Sequence, residues 1–186
     1  MSLYEELKLY TPFNQQEEKD KQLFLDFIEK NDDAFFRENV TGHITASSFI
    51  VNKSRTRVLF CYHNIYNSWS WTGGHADGEE NLLSVAIKES TEETGVSVTP
   101  VSKKIFSVEL LPVAGHIKKG KYVSSHIHYN VTYLLEADEN EKTAVCEEEN
   151  SAVSWIDISE IPHKSTEKWM IEKIYNKLTK KLYSDF

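Results

Sequence analysis

The chain has 186 residues, a formal net charge of −8 and 40% hydrophobic residues, which suits one domain with a buried core and leaves two domains cramped. The acidic balance argues against a nucleic-acid partner, which needs a basic footprint, and no apolar run is long enough to span a membrane.

The first patterned segment runs from about Glu17 to Glu29, where Leu23, Phe24, Phe27 and Ile28 recur on one side of an otherwise charged helix. It marks residues 1–40 as an N-terminal helical extension to a domain over 41–186. Its apolar face is expected to pack on the core, with a second copy, and hence a homodimer, as the alternative. From Ile44 the texture changes: ASSFIVN and RVLFCYH are β-branched apolar runs around the polar KSRT, which predicts a hairpin. Trp69, Trp71, Gly73 and Gly74 then form a glycine-bearing lead into a helix on which Leu83, Ile87, Ser90 and Thr94 line one face. Gly95 is placed to stop that helix. KKIFSVELLPV, SSHIHYNVTYLLEA and SAVSWIDI predict three further strands. Trp169, Ile171, Ile174, Leu178 and Leu182 mark a closing helix from Glu167 to Leu182. Element order alone supports a mixed α and β domain. Cys61 and Cys146 have no metal-binding spacing and read as free thiols, so the expected location is the reducing cytoplasm.

Chemistry concentrates in GHADGEENLLSVAIKESTEETGV, residues 74–96. Glu89, Glu92 and Glu93 stand at helical offsets of three and four, close enough to share a divalent cation. In an isolated helix such like-charge pairs cost roughly 0.2–0.5 kcal/mol each, so a purely structural helix gains nothing from them. A hard cation turns the repulsion into coordination. A solvated acidic face is the ordinary alternative.

Gly74, Glu80, Glu89, Glu92, Glu93, Gly95 and Val96 fall at the spacing of the Nudix box, and the segment resembles that of the Nudix hydrolases. Lys88 stands where the family has Arg, and Ser90 where an apolar residue is usual. The resemblance implies an α/β fold, a Nudix-type α/β/α sandwich with a mixed sheet, and a pyrophosphohydrolase acting on acid anhydrides. It implies Mg²⁺ or Mn²⁺ held by Glu89, Glu92 and Glu93, with Gly74 letting backbone approach the site. The substrate class it implies is a small phosphorylated molecule: a nucleoside diphosphate linked to another moiety. Glu80 and Lys88 then belong to the charge network that orients Glu89, although lysine offers a point charge and not a planar fork.

The general base is expected to be Glu89 or Glu149. The latter is the best placed of Glu147, Glu148 and Glu149 relative to the Val153–Trp155 strand. His75 is a candidate for phosphate or substrate contact, and Tyr66 and Trp71 are candidates for stacking on a base, against the usual role of such aromatics in a core. His126 and His128 share one side of a strand and form a candidate ligand pair. With neither a cysteine nor a third placed ligand, a structural or substrate-pocket role is preferred over zinc. His43 is open between the same roles. Two rival functions follow from the same residues. HITASSFIVN and TGGHADGEE resemble, faintly, the His-bearing strand and loop of isopentenyl diphosphate isomerases, but Gly73 stands where their catalytic cysteine would. Lys88 and Ser90 would also suit a non-catalytic nucleotide-binding module.

Overall fold

The structure, a computed structural model, describes residues 1–118 and 120–185. In chain order, α1 (Leu3–Leu9) and α2 (Gln15–Lys30) precede β1 (Gly42–Val51), β2 (Arg57–His63), β3 (Ser68–Ser70) and β4 (Thr72–His75). Then come α3 (Leu82–Thr94), β5 (Val98–Pro100), β6 (Ser107–Val113), β7 (His116–Lys118), β8 (Lys121–Val123), β9 (His126–Ala137) and β10 (Asn150–Asp157). The chain closes with α4 (Ile161–Lys164), a π-helical stretch over Met170–Tyr175 and α5 (Asn176–Asp185).

Among the described residues, eight strands form one mixed sheet whose spine reads β10-β2-β1-β9-β5, with β3 added to β2, β4 to β1 and β6 to β9; β7 and β8 form a separate pair. β1 and β9 are parallel from Gly42↔Ile127 to Val51↔Glu136, and the other pairings are antiparallel. All of β1 is buried, as a parallel central strand covered on both faces must be. The expected hairpin is present, but β1 and β2 meet only at Val51↔Val58; beyond that point β4 takes over beside β1, and β2 pairs with β3 and β10. This split lets the chain re-enter the sheet just before α3 and places Gly73 and Gly74 against the helix.

Alternation along the strands builds two cores. Ile44, Ala46, Ile50 and Leu59 join Leu3, Leu7, Phe24, Phe27, Val85 and Ala86 under α1, α2 and α3. Phe49, Val51, Val58 and Phe60 join Trp71, Ile174, Tyr175, Leu178 and Leu182 under the C-terminal helices. The result is the three-layer α/β/α arrangement. α2 begins at Asn14, whose side chain accepts the Glu17 N–H, and its Phe27 ring stacks on Tyr129 at 3.8 Å. α1 lies outside the elements expected from the sequence, because seven residues carry too little periodicity; a Ser2–Glu5 capping box starts it. In the closing helix Ile174, Leu178 and Leu182 are buried as expected, whereas Trp169 is 40% exposed because the π-helical stretch shifts the register ahead of α5.

The N- and C-terminal helices are joined by buried charge. Lys177 Nζ lies 3.2 Å from Glu17 and 3.0 Å from Glu109, and Lys181 Nζ is 3.6 Å from Glu17. Ser107 and Tyr10 donate to Glu17, and Asn130 and Thr132 donate to Glu109, so each carboxylate is satisfied without water. No described helix is long and apolar enough to cross a membrane.

Candidate active site

α3 is held at both ends by its own sequence. Asn81 caps it by accepting the Ser84 N–H, and Gly95, at φ 73°, donates its N–H to Thr91 as the left-handed stop. Its buried side comprises Leu82, Val85, Ala86, Ser90, Glu93 and Thr94. Ser90 is fully buried, yet its hydroxyl is satisfied: Oγ lies 2.6 Å from Ala86 O, 2.8 Å from Ser48 Oγ and 3.1 Å from Thr72 Oγ1. A hydroxyl cluster between α3, β1 and β4 thus accounts for a serine where the box usually has an apolar residue.

The three helical glutamates fare differently. Glu93 is 4% exposed and accepts the Gly73 N–H at 2.9 Å; burial pushes its carboxyl up to about 8, against the pull of that hydrogen bond and with Glu149 and Glu89 adding to the rise. Glu89 is half-buried, and burial raises its carboxyl too. Gly74 faces it: a Cβ built there would collide with Glu89 Cδ, Oε2 and Cγ. Glu149, on the loop before β10, completes the group, with one oxygen each from Glu89, Glu93 and Glu149 lying within 4.8 Å of one another. Glu92 stands outside it, exposed and paired with Lys88 at 3.7 Å. The sequence pattern had given all three helical glutamates equal standing; a step of one residue turns a helix by about 100°, so Glu92 and Glu93 cannot share one direction.

Lys88 Nζ also lies 3.7 Å from Glu89. Glu80 does not join it: the residue is exposed, and its side chain enters no ion pair among the described residues. The Glu149 loop is pinned by contacts the sequence did not signal. Glu149 N–H donates to Cys146 O at 2.9 Å, Asn64 N–H donates to Glu149 O at 3.0 Å, and the buried Asn150 donates to Glu93 O at 3.1 Å, tying the loop to the end of α3. Cys61 Sγ lies 3.7 Å from the same carbonyl, and burial pushes that thiol up, out of reactive range.

Of the other candidates, Tyr66 sits on the exposed β2–β3 turn with its ring 4.6 Å from His63, and Asn64 of that turn is bonded to the Glu149 loop. Trp71 is 8% exposed and packs edge-on against Tyr175 in the second core, so the structure uses it as a core residue and leaves no face for a base. His75 follows Gly74 on β4, and its ring lies 4.9 Å from His43 and 5.0 Å from His128. Burial holds the His43 ring below the ordinary histidine range, partly opposed by its hydrogen bond to Asn39.

The NUDIX domain model matches residues 42–178, most of the chain. The chain belongs to the Nudix family. Membership places it in a class of pyrophosphohydrolases that act on small phosphorylated substrates and generally use divalent cations. Similar solved structures include a Nudix-family hydrolase from Clostridium perfringens, 20% identical over 73% of this chain and 95% of its own, with a TM-score of 0.53. Another is the MutT protein from Methanosarcina mazei Go1, 15% identical over 76% of this chain and 96% of its own, with a TM-score of 0.57. Both show the Nudix fold. A search of curated proteins finds no match.

Proposed function

We propose that this Nudix protein is a divalent-cation-dependent hydrolase that cleaves a phosphoanhydride in a nucleoside diphosphate linked to another moiety, with residues 41–186 as the catalytic domain and 1–40 as its helical extension. The supporting observation is the convergence of Glu89, Glu93 and Glu149 beside a glycine that leaves room for the Glu89 carboxylate. Three hard oxygen donors with little compensating positive charge fit Mg²⁺ or Mn²⁺. A bound cation supplies neutralisation of the diphosphate and acidifies the attacking water.

The protein's own residues do the rest. Gly73 N–H orients Glu93, Lys88 orients Glu89, and Asn150 holds the Glu149 loop against α3. Glu149 is the more exposed carboxylate of the three and the better placed to take a proton from water at its free oxygen; Glu89 is the alternative base. Gly74 and Tyr66 border the substrate, Trp71 supports from the core, and His75, the residue after Gly74 on β4, turns to the opposite side of the sheet. The net charge of −8 requires the cation to invert the local sign before a polyanion binds, and it disfavours nucleic acid.

The hydrolase reading is preferred over an isomerase because the cysteine position of the latter is closed. A Cβ at Gly73 would lie 2.5 Å from Ser47 Oγ and 2.7 Å from Ala46 O, so no side chain fits without moving backbone. Incubating the protein with Mg²⁺ and a panel of nucleoside triphosphates, sugar nucleotides, dinucleoside polyphosphates and ADP-ribose tests it. Metal-dependent release of phosphate-containing products is expected, and their absence across the panel would favour a binding module.

A further inference from the structure

Four histidines meet on the sheet face turned away from α3. His43 on β1 is level with His128 on the parallel strand β9, and β4 brings His75 opposite Thr45 on the other flank of β1. Gly74 faces Glu89, so alternation along β4 turns His75 to the opposite side; His126 and His128, two apart, share that side. The rings of His75, His126 and His128 each lie 4.9 Å from the ring of His43. One nitrogen each from His43, His75 and His128 falls within 4.8 Å of the other two, and His126 Nε2 is 3.1 Å from His128 Nε2.

The tautomers point inward. His43 Nδ1 lies 3.2 Å from Asn39 O and His126 Nδ1 lies 2.8 Å from Ser124 O. A carbonyl can only accept, so both rings carry their proton on Nδ1 and present a lone pair on Nε2. His43 Nε2 is buried, on a ring only 5% exposed, and has no hydrogen-bond partner. A buried acceptor without a partner is costly, and this one is surrounded by three more imidazoles. Fixing Nδ1–H on a backbone carbonyl while offering Nε2 is how proteins orient histidine toward a metal. Two nitrogens bound tetrahedrally at about 2.0–2.1 Å sit roughly 3.3 Å apart, close to the His126–His128 spacing.

The donor set also selects the ion. It is all imidazole, and the nearby acid Asp77 is engaged by the Arg37 guanidinium in a two-pronged pair. Imidazole suits Zn²⁺ and its borderline neighbours, whereas Mg²⁺ takes oxygen and keeps its water. We propose that His43, His75, His126 and His128 form a second metal site, for Zn²⁺, chemically separate from the carboxylates of α3 and its facing loop. β4 carries one residue of each, Gly74 opening to Glu89 and His75 to the imidazoles. A bound Zn²⁺ would clip β1, β4 and β9 together at the end of the sheet nearest the reaction site.

Chelator-stripped protein, freed of chelator, is titrated with ZnCl₂ alone in the presence of excess Mg²⁺ and followed by calorimetry, then with Co²⁺ followed by visible absorption. One tight equivalent of Zn²⁺ that Mg²⁺ does not displace, and a Co²⁺ spectrum of tetrahedral intensity, are expected. His128→Gln and the partly exposed His75→Asn should each weaken Zn²⁺ by at least about tenfold, while Glu93→Gln should bind it like the parent. Circular dichroism identifies any variant that fails to fold, and the pair of sites on different strands keeps one readable. Absence of a stoichiometric Zn²⁺ site in the parent, or parent-like affinity in the folded histidine variants, overturns the site. Loss of Zn²⁺ in Glu93→Gln alone would assign the ion to the carboxylates. None of these readouts depends on turnover, so failure here and failure of the hydrolase reading remain distinguishable.

Discussion

The Glu89 carboxylate occupies the space where a side chain on Gly74 would begin. The glycine is therefore what this placement of Glu89 requires sterically, and not only a residue of β4. A methyl group there meets the far end of a flexible side chain, so the fold should survive while the carboxylate is displaced. Gly74→Ala is expected to lower turnover by roughly 100-fold, the scale of a misplacement of about 1 Å, with little change in thermal unfolding. Parallel kinetics and melting curves check it; parent-like turnover would show that the close approach is incidental.

Glu93 supplies a pH dependence. Its folded-state carboxyl is raised from 4.5 to about 8, chiefly by burial. A raised acid contributes stability that is fully present below the unfolded value and is lost as pH rises through the folded one, so the cation-free protein should weaken progressively between those two values. Cation binding needs the carboxylate and at neutral pH displaces its proton, so affinity runs the other way. Apparent Mg²⁺ affinity should rise by roughly one to two orders of magnitude from about pH 6 to about pH 8, and binding at neutral pH should release a proton. Calorimetry in buffers of different ionisation enthalpy reads that proton directly. The same titration on Glu93→Gln should be nearly flat.

Glu92 and Glu149 should separate by role. Glu149→Gln is expected to lower kcat by about 100-fold or more, as for loss of a general base, with a smaller effect on cation affinity. Glu92→Gln, which removes an exposed partner of Lys88, should cost far less. Single-turnover rates at saturating Mg²⁺ decide between them. If Glu149→Gln keeps its rate, the base is Glu89.

The buried charges predict a stability effect remote from the chemistry. Burial opposes the Lys177 charge, yet Glu109 and Glu17 together raise its pKa; burial likewise opposes the Glu17 charge, yet Lys177 leads the contacts that lower it. The lysine contribution is therefore present below 10.5 and fades above it, whereas the Glu17 contribution is present above 4.5 and fades as pH falls. Lys177→Met strands the buried Glu109 carboxylate, leaves Glu17 with Lys181 as its remaining cation, and should destabilise the protein by about 3–5 kcal/mol near neutral pH. Urea unfolding measures it; a change under about 1 kcal/mol would mean the network contributes specificity and not stability.

What was legible in the sequence follows from how local each signal is. The box was, because Gly74, Gly95 and the glutamates of α3 lie within one short stretch from β4 to the end of α3. Which glutamate faces inward was not, since Glu92 and Glu93 are adjacent and only the sheet decides which is buried. Trp71 carries the same lesson: an aromatic beside a strand belongs to whichever face the pairing gives it, here the one under Tyr175. The histidines were least legible. His126 and His128 announce themselves by spacing, but His43 reaches them through parallel pairing of β1 with β9, and His75 through β4. The Glu149 loop was found by its distance from a strand, while Asn150, which ties it to Glu93, gave no signal at all.

The most direct test of the proposed cation site is turnover against Mg²⁺ concentration for the parent, Glu93→Gln and Glu92→Gln, on the best substrate of the panel. Glu93→Gln should need far more Mg²⁺ and remain orders of magnitude slower at saturation, while Glu92→Gln stays near the parent. Overlapping Mg²⁺ curves for the parent and Glu93→Gln would contradict a cation held by Glu89, Glu93 and Glu149.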